Sequence, residues 1–84
     1  MKTIKQHKAE IDALTNTLDV AERDRDSTAK AWQANSSAAN LDANMTAIDV
    51  VISARRNLAN AQRRFKVYVG FLRAELHELK EGQL

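Results

Sequence analysis

An all-α fold, two long helices turned back on each other as an antiparallel hairpin, is predicted by three features of this 84-residue sequence. Proline is absent, and glycine occurs only at Gly70 and Gly82, so the turns that a sheet needs have almost nothing to be built from. Apolar and small residues recur at alternating steps of three and four through both halves of the chain, the spacing of a coiled-coil seam. A single polar, turn-prone cluster, Asn35-Ser36-Ser37-Ala38-Ala39-Asn40, lies between the two halves.

The first helix is expected over residues 3–34, with Thr3 as its N-cap. Its seam reads Ile4, His7, Ile11, Leu14, Leu18, Ala21, Arg25, Thr28 and Trp32, with Arg25 and Thr28 as the weak points. Ser27 is a fair N-cap, so a break near Asp26 is the alternative to one continuous helix. The turn is expected over residues 35–40. Asn40 then caps a second helix over residues 41–81, and Gly82 ends it. The second seam reads Ile48, Val51, Arg55, Leu58, Gln62, Phe65, Val69, Leu72, Leu76 and Leu79. Val67 to Leu72 also has strand-favouring composition, but the helix-forming flanks and the continuous seam favour helix. Trp32 is expected to close the turn end against Met45 or Ile48.

Charge supports the antiparallel arrangement independently. The chain starts basic, with Lys2, Lys5 and Lys8, and then carries Glu10, Asp12, Asp19, Glu22, Asp24 and Asp26. The second half reverses this order: Arg55, Arg56, Arg63, Arg64, Lys66 and Arg73 come before Glu75, Glu78 and Glu81. A fold near Ala38 sets acids beside bases, and the first lysines near the last glutamates. One exposed pair contributes at most about 1 kcal/mol, yet a consistent pattern of signs selects an orientation.

Two helices leave faces without cover. The second is apolar beyond its seam, at Val50, Ile52, Ala54, Ala59, Ala61, Tyr68 and Phe71, and from Val67 to Leu72 it is apolar on every side. A single domain that dimerises into a four-helix bundle is therefore the expected architecture.

Composition narrows the function. There is no cysteine for disulfides or thiolate metal sites. There is no glycine-rich phosphate loop, and no nucleophile has an evident base and orienting partner, so an enzyme is not expected. No cofactor or small-molecule substrate is expected either, because a thin bundle has little room for a pocket. No apolar run reaches the roughly 20 residues of a membrane span, and the polar start is unlike a signal peptide, which predicts a cytoplasmic protein. His7 and His77 are expected as surface histidines at one end of the hairpin, without metal-ligand spacing. Arg55 and Gln62 on the second seam, facing Arg25 and Thr28, read as polar positions that set register.

The function these residues favour is a non-catalytic protein-interaction module. It would be a small hairpin that binds or inhibits another protein, in character with a bacterial or phage accessory protein. Its contact surface is expected on the flank of the second helix, with Arg64, Tyr68 and Phe71 central and Arg56 and Arg63 as a polar rim, because aromatics and arginine dominate such sites. Two alternatives stand beside it. Nucleic-acid binding would use Arg55, Arg56, Arg63, Arg64 and Lys66, although the net charge is only +2. A purely structural scaffold would need no outside ligand.

Overall fold

The computed structural model describes residues 2–82, and among them every regular element is helical. Helix α1 spans Ile4–Ala34 and α2 spans Ala38–Gly82. They pack antiparallel into a rod of 71 × 17 × 15 Å. Its length is set by α2, whose 45 residues at about 1.5 Å each account for most of it.

The start of α1 is held by a capping box. The Gln6 amide donates to Thr3 Oγ1 at 3.1 Å, and the Thr3 amide donates back to Gln6 Oε1 at 2.9 Å. No break occurs at Asp26-Ser27: α1 continues to Ala34. Extended backbone at Asn35 then stops it, while the Asn35 amide still donates to the Ala31 carbonyl at 2.9 Å.

The second helix begins three residues earlier than the sequence suggests. Ser37, and not Asn40, is its cap: Ser37 Oγ accepts from the Asn40 amide at 3.1 Å and the Ser37 carbonyl accepts from Leu41 at 3.0 Å. Asn40 has a different task, because its side-chain amide donates to the carbonyls of Ala31 and Asn35 at 3.3 and 2.8 Å. The turn end is thus closed by polar bonds, while Trp32 is 36 % and Met45 58 % exposed. No residue of the turn takes a positive φ, so it needs no glycine.

The inward face of α1 matches its sequence seam closely. His7 and Ala21 are buried, and Ile11, Leu14, Leu18, Arg25 and Thr28 are half-buried. In α2 the seam is rotated. Asn40, Asn44, Ala47, Val51, Ala54, Leu58, Ala61, Phe65, Tyr68 and Leu72 face inward, again at steps of four and three. Val51, Leu58, Phe65 and Leu72 are where the sequence puts them. The alternate positions are Ala47, Ala54 and Ala61 in place of Ile48, Arg55 and Gln62, and Tyr68 joins Val69, which is half-buried as the sequence seam places it.

Alanine explains the shift. With Ala21, Ala47, Ala54 and Ala61 between the helices, the backbones approach closely, and Val51 is the largest fully buried side chain. Turning the helix the other way would bury the Arg55 guanidinium, at a desolvation cost that a few methyl groups do not offset. The register-setting polar contact consequently comes from Asn44. Its side-chain amide donates to the Arg25 carbonyl at 3.2 Å and to Thr28 Oγ1 at 3.0 Å.

Because His7 packs level with Phe65 and Tyr68, α1 starts level with about residue 70 of α2. The remainder of α2, on the order of 15 Å, projects beyond it. Residues 73–82 are exposed throughout.

Candidate interaction surface

The far end of the hairpin is organised around His7, which is 8 % exposed and is a core residue, contrary to its expected place on the surface. Its ring lies 4.8 Å from the Tyr68 ring and 5.7 Å from that of Phe65, tilted by 36° and 41°. One turn along α1, Glu10 accepts from Arg64 Nη2 at 2.8 Å and from the Lys2 ammonium. These two cations, Lys2 first, hold the Glu10 carboxyl below its ordinary range. Lys2, just before α1, therefore answers Glu10 of that helix, because the glutamates at the end of α2 lie beyond the start of α1. His77 is far out on the projecting segment, where its Nε2 lies 3.0 Å from Glu81 Oε1. The two histidines are not brought together.

A shallow groove opens on the flank of α2 beside this cluster, lined by Arg63, Arg64, Val67, Tyr68 and Phe71. Four of the five residues expected at a contact surface, Arg63, Arg64, Tyr68 and Phe71, thus meet at one place. Arg56 does not line the groove and lies about two turns toward the start of α2. Val67, 68 % exposed, belongs to the groove and has no place in either seam of the sequence. Phe71 is 59 % exposed, whereas Tyr68 is half-buried on His7, so the ring of Tyr68 forms a floor and Phe71 a free edge. Glu10 draws the Arg64 guanidinium across to α1 and fixes one wall.

The basic run divides in two. Arg55 reaches Glu22 at 3.9 Å and Arg64 reaches Glu10, so both are engaged with α1, as the charge order predicts. Among the described residues, Arg56, Arg63 and Lys66 form no ion pair with a protein carboxylate. At steps of seven and three they share the outward side of α2, the side that a phosphate backbone would have to follow. No helix among the described residues is long and apolar enough to cross a membrane. Among the described residues no three His, Asp or Glu side chains gather as a metal site. Compared with known protein families, curated proteins and solved structures, the chain matches none.

Proposed function

We propose that the protein is a non-catalytic interaction module that binds, or inhibits, another protein through the groove of Arg63, Arg64, Val67, Tyr68 and Phe71. One observation carries this reading: an apolar groove with Arg63 and Arg64 at one end and an exposed phenylalanine at the other lies next to a helix end that projects free of its neighbour. A buried aromatic anchor with an arginine at its edge is the composition of a binding hot spot. The matching partner surface would bring one large apolar side chain into the groove. It would also bring a carboxylate to Arg63, which has no carboxylate partner of its own among the described residues.

The test is an affinity capture from bacterial lysate with tagged wild-type protein and with Phe71→Asp, each with and without nuclease. The expected result is one protein retained by the wild type after nuclease and lost with Phe71→Asp. Retention of nucleic acid alone, lost after nuclease and falling steeply with salt, would favour the alternative on Arg56, Arg63 and Lys66. That outcome would overturn the groove reading.

A further inference from the structure

A second apolar stripe lies on the other flank of α2, away from the groove. Leu41, Met45, Ile48 and Ile52 recur at steps of four and three, about 100° around the helix from the buried seam, and they are 42, 58, 39 and 48 % exposed. Along the same flank, toward the other end, a depression is lined by Phe65, Lys66, Val69, Gly70 and Arg73. Charge is divided between these two halves. From Ala38 to Ala54 the charges are Asp42 and Asp49, and from Arg55 to Arg73 every charge is basic.

We propose that this flank of α2 binds the same flank of a second copy, antiparallel, about a two-fold axis near Asn57 and Leu58. The acidic aliphatic half of each copy then covers the basic grooved half of the other. In a single register Asp42 lies level with Arg73 of the second copy, Asp49 with Lys66, and Met45 with the depression beside Gly70. A Cβ at Gly70 would meet nothing within 4 Å in the hairpin itself, so that space is open to an incoming side chain. Near the axis Arg55 lies level with Asn60 and beside the small Ala59 of the second copy, which leaves it room to keep its own Glu22. A parallel pair would instead set Asp42, Asp49 and the whole basic run level with their own counterparts. A surface whose two halves complement each other under a two-fold rotation is the signature of an isologous contact, and this argues for a second copy over a foreign protein. The groove at Phe71 stays open on the opposite flank.

The chain has no cysteine, which makes the orientation directly readable. Asp49→Cys and Lys66→Cys chains, mixed and treated with a short thiol-reactive cross-linker, are expected to couple to each other. Each alone is expected to couple with itself far more slowly. Preferential self-coupling of Asp49→Cys would overturn the antiparallel register.

Sedimentation equilibrium is expected to show a wild-type dimer, and a monomer at the highest soluble concentration would overturn the proposal outright. Met45→Glu with Ile48→Glu should weaken association by at least about tenfold, with helicity by circular dichroism retained. Asp49→Lys should weaken it, and adding Lys66→Asp to the same chain should restore it. Failure of that rescue would also refute the pairing. Phe71→Asp, which tests the groove, is expected to leave the dimer intact, so the two readings fail separately.

Discussion

Replacing His7 with alanine is the sharpest test, because the sequence places this residue on the α1 seam and yet reads it as a surface histidine, and the structure buries it. As a surface histidine it would be dispensable. In the structure its ring is sandwiched where α1 meets Phe65 and Tyr68, with 8 % exposure. Aromatic contacts of this geometry contribute about 0.5–1.5 kcal/mol each, and there are two. The ring also leaves a void that the long helices are too stiff to close fully. His7→Ala should therefore cost about 2–3 kcal/mol. Folded domains of this length have a total stability of roughly 4–12 kcal/mol, so the loss is a large share of the whole.

Urea denaturation followed by helical circular dichroism, at one fixed protein concentration, measures this directly. Thermal unfolding should fall by on the order of 10–20 °C. His77→Ala is the control, since that side chain is largely exposed on the projecting segment. It should change stability by no more than about 0.5 kcal/mol. His7→Phe should retain most of the wild-type stability, because the ring contacts persist. If His7→Ala cost no more than His77→Ala, the pairing of the first turns of α1 with Phe65 and Tyr68 would be wrong, and with it the placement of the groove floor.

Other expectations follow from the same geometry. Ala61 is 2 % exposed between the helices, so Ala61→Leu should destabilise by about 1–3 kcal/mol through overpacking, while exposed Ala13→Leu should be near neutral; chemical denaturation compares them. Gly70 sits in a helix with open space around its missing Cβ, so Gly70→Ala should stabilise the dilute protein by about 0.5–1 kcal/mol in the same assay. Because Lys2 and Arg64 lower the Glu10 carboxyl below its ordinary value of 4.5, the stability it confers is present above that value. It is lost as pH falls through the lowered pKa. Glu10→Gln should accordingly lose less stability than the wild type between neutral and acidic pH, read from denaturation midpoints.

Much of this fold is legible in the sequence, and the parts that are not share one cause. Helix content, the single turn, the antiparallel sense and the α1 seam all follow from period and charge order. The pairs Arg55–Glu22 and Arg64–Glu10 are the acid-to-base match expected of that order. The seam of α2 is displaced because hydropathy ranks Ile48 above Ala47 and regular steps then run through Arg55 and Gln62, whereas close helix packing favours the small Ala47, Ala54 and Ala61. The same displacement hides the role of Asn44, moves Tyr68 from flank to seam, and makes His7 a core residue once that ring comes to meet it. The start at Ser37 is likewise a contest between two adequate caps, Ser37 and Asn40, that local sequence does not separate. Within the groove, Arg63, Arg64, Tyr68 and Phe71 are found from residue type alone, and a helical step of three or four from Arg64 and Phe71 points to Val67.

Large aliphatic side chains facing outward and alanines facing inward make little sense for an isolated hairpin, and the projecting end of α2 shows this most plainly. Leu76 and Leu79 are 54 and 60 % exposed, on a segment that α1 does not reach. They continue the heptad steps of Val69 and Leu72, so the pattern is that of a covered helix while the hairpin supplies no cover. If the segment served only the hairpin, removing it would be harmful; the structure predicts the reverse. A chain ending after Arg73 should keep the His7 cluster, the alanine seam and the cap at Ser37, and its stability should fall by no more than about 0.5 kcal/mol in dilute solution. A clearly larger loss would mean that residues beyond Arg73 fold back onto α1, contrary to their exposure. An unchanged midpoint would leave Leu76 and Leu79 with no role inside one hairpin, and would place their purpose in contact with another chain.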